Sequence, residues 1–142
     1  MITANLNNLD LFDNWNADDR AMRCRSAFPL LGAMGTENSA AVYFELEPGD
    51  YLGRHTDSAE EVLLILAGTV DVSVGDEQGR LSQGELAVVP TMVPHAIYNV
   101  GQEKARVLGF FGSRNIVATF DKVWQPANSN VVDTAVMTAE TA

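Results

Sequence analysis

Cys24 is the only cysteine in this chain of 142 residues. A single thiol allows no intrachain disulfide and no thiolate cluster for zinc. Basic residues are also scarce: 9 Lys and Arg stand against 19 Asp and Glu, for a formal net charge of −10. Nucleic acid and anionic membrane both require a basic footprint, so neither is expected as a partner. Long apolar runs are missing. The longest, Val62–Ala67, falls far short of the roughly 18 residues of a membrane helix. The first residues, MITANLNNLDLFDNW, have no basic segment followed by an apolar one, so no secretory signal is read there and a cytoplasmic protein is expected. Helical periodicity is absent from residue 39 to 120. Histidine occurs only twice, at His55 and His95.

What is present suits one domain with a real core, since the composition is 46% hydrophobic and 20% charged. Residues 1–20 are rich in Asn and Asp. Leu6, Leu9 and Phe12 at three-residue spacing, with Trp15 following, suggest a helical turn or an arm lying on the body. Ala21–Ala27 alternates Arg23 and Arg25 with smaller residues and reads as a strand with a polar face, closed by a loop at Pro29, Gly32 and Gly35. Strands then follow at Ala40–Leu46, Glu61–Leu66, Thr69–Val74, Gly79–Leu81, Glu85–Val89, Ala96–Val100, Ala105–Phe111 and Ile116–Phe120, set apart by Gly and Pro. Thr69–Val74 is the clearest, with Val70, Val72 and Val74 on one face and Asp71 and Ser73 on the other. About eight to ten short strands, with a turn signal every 8–12 residues or so, indicate an all-β sandwich or barrel. The domain is expected over 21–124, with 1–20 as an N-terminal arm and 125–142 as a small, polar, flexible tail.

Two stretches concentrate the polar chemistry. Between Gly49 and Gly68, His55, Asp57, Glu60 and Glu61 fall within seven positions and run directly into an apolar strand. Between Gly84 and Asn99, His95 follows Pro90 and Pro94. In an extended segment His55 and Asp57, two apart, share a face, while Arg54 points the opposite way.

Read together, Gly49, His55, Asp57, Glu61 and Gly68, then Gly84, Pro90, Met92, His95 and Asn99, resemble the paired motifs of the cupin superfamily. Every spacing is kept. Two positions depart from the family pattern: Asp57 stands where a second His is expected, and Met92 where a glycine is usual. The resemblance implies a double-stranded β-helix, a jelly-roll barrel of cupin type. It implies a site for one divalent transition metal (Fe, Mn, Ni or Zn) held by His55, Asp57, Glu61 and His95, with Glu61 as the residue able to act as a general base. Two imidazoles and one carboxylate form the facial set of non-haem iron sites. Asp57 either ligates as a second carboxylate, which shifts preference towards Mn(II) or Fe(II), or stops short of the metal, or orients His55.

The function this implies is a metal-dependent enzyme of dioxygenase-like type acting on a small organic molecule. A metal-dependent isomerase or lyase and a non-catalytic small-molecule binder are the alternatives. A homodimer is expected, with residues 21–28 as an edge strand contributed across the interface. Glu60 is read as solvent-facing. Arg54, Arg23, Arg25 and Tyr43 are read mainly as exposed strand residues, and Met92, Tyr98, Phe110 and Phe111 as barrel lining. Cys24 is read as a small buried hydrophobe, because no histidine is left over to act as its base.

Overall fold

The alternation in Thr69–Val74 sets the pattern for the whole molecule. Val70 and Val72 are buried, and across the hairpin Asp71 pairs with Arg80 and Ser73 with Gln78 on the outer face. A computed structural model describes all 142 residues and contains twelve strands: β1 (Phe12–Trp15), β2 (Arg23–Leu30), β3 (Ala40–Leu46), β4 (Tyr51–Asp57), β5 (Glu61–Ala67), β6 (Thr69–Val74), β7 (Glu77–Ser82), β8 (Leu86–Val89), β9 (His95–Asn99), β10 (Ala105–Phe111), β11 (Val117–Trp124) and β12 (Ser129–Asp133). Helix is limited to two 3-10 turns, Gly32–Met34 and Thr134–Val136. No helix is long and apolar enough to cross a membrane.

The strands form two six-stranded antiparallel sheets, one in the order β1-β2-β3-β10-β5-β8 and the other β12-β11-β4-β9-β6-β7. Their inner faces enclose one core that includes Met22, Phe44, Leu63, Ile65, Val107, Ile97 and Phe120. This is the expected all-β jelly-roll barrel. Every strand anticipated between 40 and 120 is present. Gly68 turns β5 into β6 at φ +85, and a Cβ there would lie 2.9 Å from Ala105 Cα, so both conformation and space call for glycine. Asn99 fastens the same end of the barrel: its Nδ2 donates to the carbonyls of Leu46 and Glu103, at 2.9 Å each, and its Oδ1 accepts from Gly101 N–H.

The ends of the chain differ from the sequence reading. Residues 1–20 form no helical turn of regular structure. Leu6 and Leu9 lie on Ala41, Tyr43 and Leu108 on the outer face of the first sheet, and Phe12–Trp15 is strand β1. Four residues, FDNW, are too few and too polar to show an alternation of their own; pairing with β2 makes the strand. Residues 125–142, expected as a tail, carry β12, which pairs with β11, and the turn at Thr134–Val136. Pro29 does not end β2. It lies where the β2–β3 register shifts between Ala27 and Leu30, a bulge in which the missing N–H breaks no ladder bond. Finally, β2 is not an edge strand. It sits between β1 and β3 of its own chain, so the outer edge belongs to β1.

Candidate metal centre

Three strands deliver the four candidate ligands. β4 carries His55 and Asp57, β9 carries His95, and β5 brings Glu61 from the opposite sheet. His55 and His95 face each other directly across the β4–β9 ladder, with ring centroids 4.0 Å apart. The alternation along β4 turns His55 and Asp57 inward, at 5% and 3% exposure, and Arg54 outward toward Asp121 at 3.8 Å. Glu61 at 3% and His95 at 0% are equally enclosed. Glu60 is exposed, one position out of phase.

Asp57 is the centre of the group. Its Oδ2 lies 3.1 Å from His95 Nε2 and 3.6 Å from His55 Nε2. Glu61 Oε1 lies 3.4 Å from His95 Nε2. Ligand atoms of His55, Asp57 and His95 all fall within 4.8 Å of one another, a set that can hold a metal ion; Glu61 adjoins it through His95. The residue that replaces the family's histidine therefore touches both imidazoles, and Glu61 touches one. Glu61 is held by its surroundings: a methyl group built on Gly109 would overlap its Oε2 and lie 3.0 Å from its Cδ.

Each imidazole is oriented by a carbonyl two residues earlier. His55 Nδ1–H donates to Gly53 O at 2.8 Å and His95 Nδ1–H to Val93 O at 3.0 Å. A carbonyl can only accept, so in the neutral ring the Nε2 lone pair faces the carboxylates. Lone pairs then confront lone pairs across about 3 Å, and His95 Nε2 and Asp57 Oδ2 are buried without a hydrogen-bond partner. A positive charge between them resolves this. Without metal, a proton on His95 would supply that charge: burial alone lowers its pKa, but hydrogen bonds and charge from Asp57 and Glu61 outweigh it and raise it to about 10. Burial, then the charge of His95, push His55 down to about 4. Burial, with the charge of Asp57 adding to it, pushes Glu61 up to about 7. A divalent ion held by His55, Asp57 and His95 would take the place of the proton, with the Glu61 carboxylate adjoining.

A cavity of about 170 Å³ opens beside the site, reached by His55, Asp57 and Glu61, with His95 behind them. Its walls are mostly apolar and include Phe12, Phe28, Phe44, Phe111, Phe120 and Trp124. Phe120 stacks on His55 with centroids 4.3 Å apart and Trp124 meets Phe120 edge-on at 5.4 Å, which holds the imidazole from the β11 side, across from His95 on β9.

The remaining expectations divide. Arg23 is exposed and paired with Asp13 at 2.6 Å, and Arg25 is exposed. Tyr43 is buried on the outer face of the first sheet, where its hydroxyl donates to Glu45 at 2.6 Å and accepts from Arg106 at 2.7 Å. Phe111 lines the cavity, but Met92, Tyr98 and Phe110 are exposed and do not. Tyr98 and Phe110 occupy the outward phase of their strands, and Met92 sits in a turn at φ +63. Cys24 is buried in the cavity wall, and burial pushes its thiol up to about 12. Phe12, Asn14 and Ser26 escaped the sequence reading, as did Phe120 and Trp124. A signal existed for some of them: Cys24 and Ser26, and Ile116, Ala118 and Phe120, recur at period two and line one cavity.

Residues 42–111 match the family model of the cupin domain. Among solved structures, the chain is similar to an oxalate decarboxylase of Bacillus subtilis studied for its Mn(II) centres (16% identity, TM-score 0.62, covering 75% of this chain and 30% of that one). It is also similar to a recombinant oxalate oxidase in complex with glycolate (22%, TM-score 0.64, 68% and 54%). A third is an Acidithiobacillus ferrooxidans protein provisionally described as a sugar phosphate isomerase (17%, TM-score 0.64, 93% and 90%). The chain thus spans about a third of the decarboxylase and about half of the oxidase. At these identities the likeness establishes the fold. No curated protein sequence matches the chain.

Proposed function

The chain is a cupin, and from that premise we propose that it binds one divalent transition metal through His55, Asp57, Glu61 and His95 and acts as a metal-dependent oxidoreductase of dioxygenase-like type on a small organic molecule. The observation that carries the metal is the pair of buried, unpartnered atoms His95 Nε2 and Asp57 Oδ2. Two carboxylates beside two imidazoles make a hard site, which favours Mn(II) or Fe(II) over Zn(II) or Ni(II). The Mn(II) centres of the similar decarboxylase support the same choice. Such an ion supplies Lewis acidity and, for iron and manganese, redox chemistry.

The protein's own part is positioning. The Gly53 and Val93 carbonyls hold the imidazoles, and Phe120 fixes the face of His55. The apolar walls exclude water from the cavity floor, where Glu61 presents a carboxylate able to accept a proton from a bound molecule. A metal-dependent isomerase is the second reading, favoured by the likeness that covers 93% of this chain and 90% of the Acidithiobacillus protein. We also hold to a homodimer. Its support is edge strand β8, whose exposed Leu86 and Val88 adjoin exposed Phe110 through Val62.

Elemental analysis of protein purified without added metal tests the site. About one ion per chain is expected, falling to near zero in His95→Ala and Asp57→Ala. Protein that holds no transition metal and cannot be loaded with one refutes the reading. Oxygen uptake with a panel of small phenols and diketones then separates the oxidoreductase from the isomerase and from a non-catalytic binder.

A further inference from the structure

The ionisable side chains lining the cavity are His55, Asp57, Glu61 and Cys24; neither Lys nor Arg is among them. The nearest charged partners of this sheet, Arg54 and Lys122, stand on the outer face in contact with Asp121 and Asp19. At the floor, two carboxylates cancel the charge of a divalent ion. A second histidine in place of Asp57 would leave one positive charge over. An anionic ligand entering this cavity would give up its hydration and meet no net positive charge, which is unfavourable. Apolar contact, by contrast, is plentiful. A cavity of about 150 Å³ with Leu, Ile and Phe walls admits benzene, and this one measures about 170 Å³ with six aromatic side chains in its walls.

One part of the wall is polar. Asn14 on β1 and Ser26 on β2 both line the cavity, and Asn14 Nδ2 donates to Ser26 Oγ at 3.0 Å and to Phe12 O at 3.1 Å. Both Asn14 amide hydrogens are thereby used. Its Oδ1 is left to accept, and the Ser26 hydroxyl can turn its hydrogen to the neighbouring Cys24 sulfur or to a ligand.

We propose that the cavity takes an uncharged molecule the size of a single aromatic ring, carrying a hydroxyl or carbonyl group that Asn14 and Ser26 recognise, and that it turns away small dicarboxylates. This deepens the metal-site reading above, since the same cavity meets the same centre, and it makes Asn14 and Ser26 specificity residues.

Calorimetric titration of toluene, phenol, benzoate and oxalate tests it, with the full-length protein both chelator-treated and loaded with Mn(II). Phenol is expected to bind saturably in both states, benzoate at least tenfold more weakly, and oxalate in neither. Asn14→Ala and Ser26→Ala should each weaken phenol by about threefold to tenfold, the worth of one hydrogen bond, and leave toluene unchanged. Ala118→Leu, which fills the cavity, should abolish both. Oxalate or benzoate binding as well as phenol overturns the proposal, as does phenol affinity that survives Ala118→Leu or is indifferent to both polar substitutions. The two readings fail separately: phenol bound by protein that takes up no metal removes the metal centre alone, whereas oxalate bound by the Mn(II)-loaded protein removes this proposal alone.

Discussion

Adding one methyl group at Gly109 is expected to cost stability chiefly through Glu61. Gly109 lies on β10 between Val42 of β3 and Leu63 of β5 and has no left-handed φ, so alanine can adopt its backbone. The new Cβ would overlap Glu61 Oε2 and stand 3.0 Å from Glu61 Cδ and from Val42 Cγ1. Overpacking of this kind costs about 1–3 kcal/mol. Loss of glycine's freedom in the unfolded chain returns about 0.4–1 kcal/mol. The balance is a loss of roughly 1–2 kcal/mol, or some 3–8 °C in melting temperature for a domain of this size. The measurement is thermal unfolding of Gly109→Ala, Glu61→Ala and the double variant, all without metal. With the Glu61 carboxylate gone, most of that loss should disappear, because only the tight approach to Val42 and the opposing backbone-entropy gain remain. A Gly109→Ala protein that melts with the wild type, or a double variant that repeats the single variant's loss, would show that Glu61 is not seated against β10.

Met92 occupies φ +63 while largely exposed, a conformation that costs a side-chain-bearing residue about 1–2 kcal/mol. Met92→Gly should therefore hold its urea midpoint to within about 0.5 kcal/mol despite glycine's entropy, and Met92→Val should lose about 1–2 kcal/mol; equal midpoints for the two would contradict the turn. Cys24, buried and with its thiol pushed up to about 12, should be labelled by a thiol-specific disulfide reagent at pH 8 only as fast as the protein opens, and at once in denaturant. Rapid stoichiometric labelling of the native chain would show that the thiol is not buried as described.

The barrel was legible because its strands are half-buried. Val70 and Val72 against Asp71 and Ser73 leave little room for another reading, and the same period of two correctly turned His55 and Asp57 inward. What the pattern cannot show is rank within a site. Spacing made Glu61 the firm member and Asp57 the doubtful one; in the fold, Asp57 Oδ2 reaches the Nε2 atoms of both rings and Glu61 reaches only that of His95. Strands β1 and β12 were lost for a different reason. Each is short and has no clear alternation of its own, and each exists by pairing with the longer strand next to it in the chain. The exposed positions of Tyr98 and Phe110 follow the same limit: an aromatic in a strand reports burial only once the sheet's inner face is known. Tyr98 finds its contact outside, stacked on Tyr51 at 4.9 Å.

Much of the cavity wall, Val42, Phe44, Leu52 and Phe111 apart, comes from outside the stretch that carries the candidate metal ligands. His55, Asp57, Glu61 and His95 lie within the matched stretch 42–111. Phe12, Asn14, Ser26 and Phe28 precede it, and Ile116, Ala118, Phe120 and Trp124 follow it. The candidate metal site and much of the shape of what could reach it are thus written in separable segments. Exchange of the flanks between two such proteins is a route to new selectivity with the ion left in place, and a search that scores the central stretch alone will group together chains that admit quite different molecules.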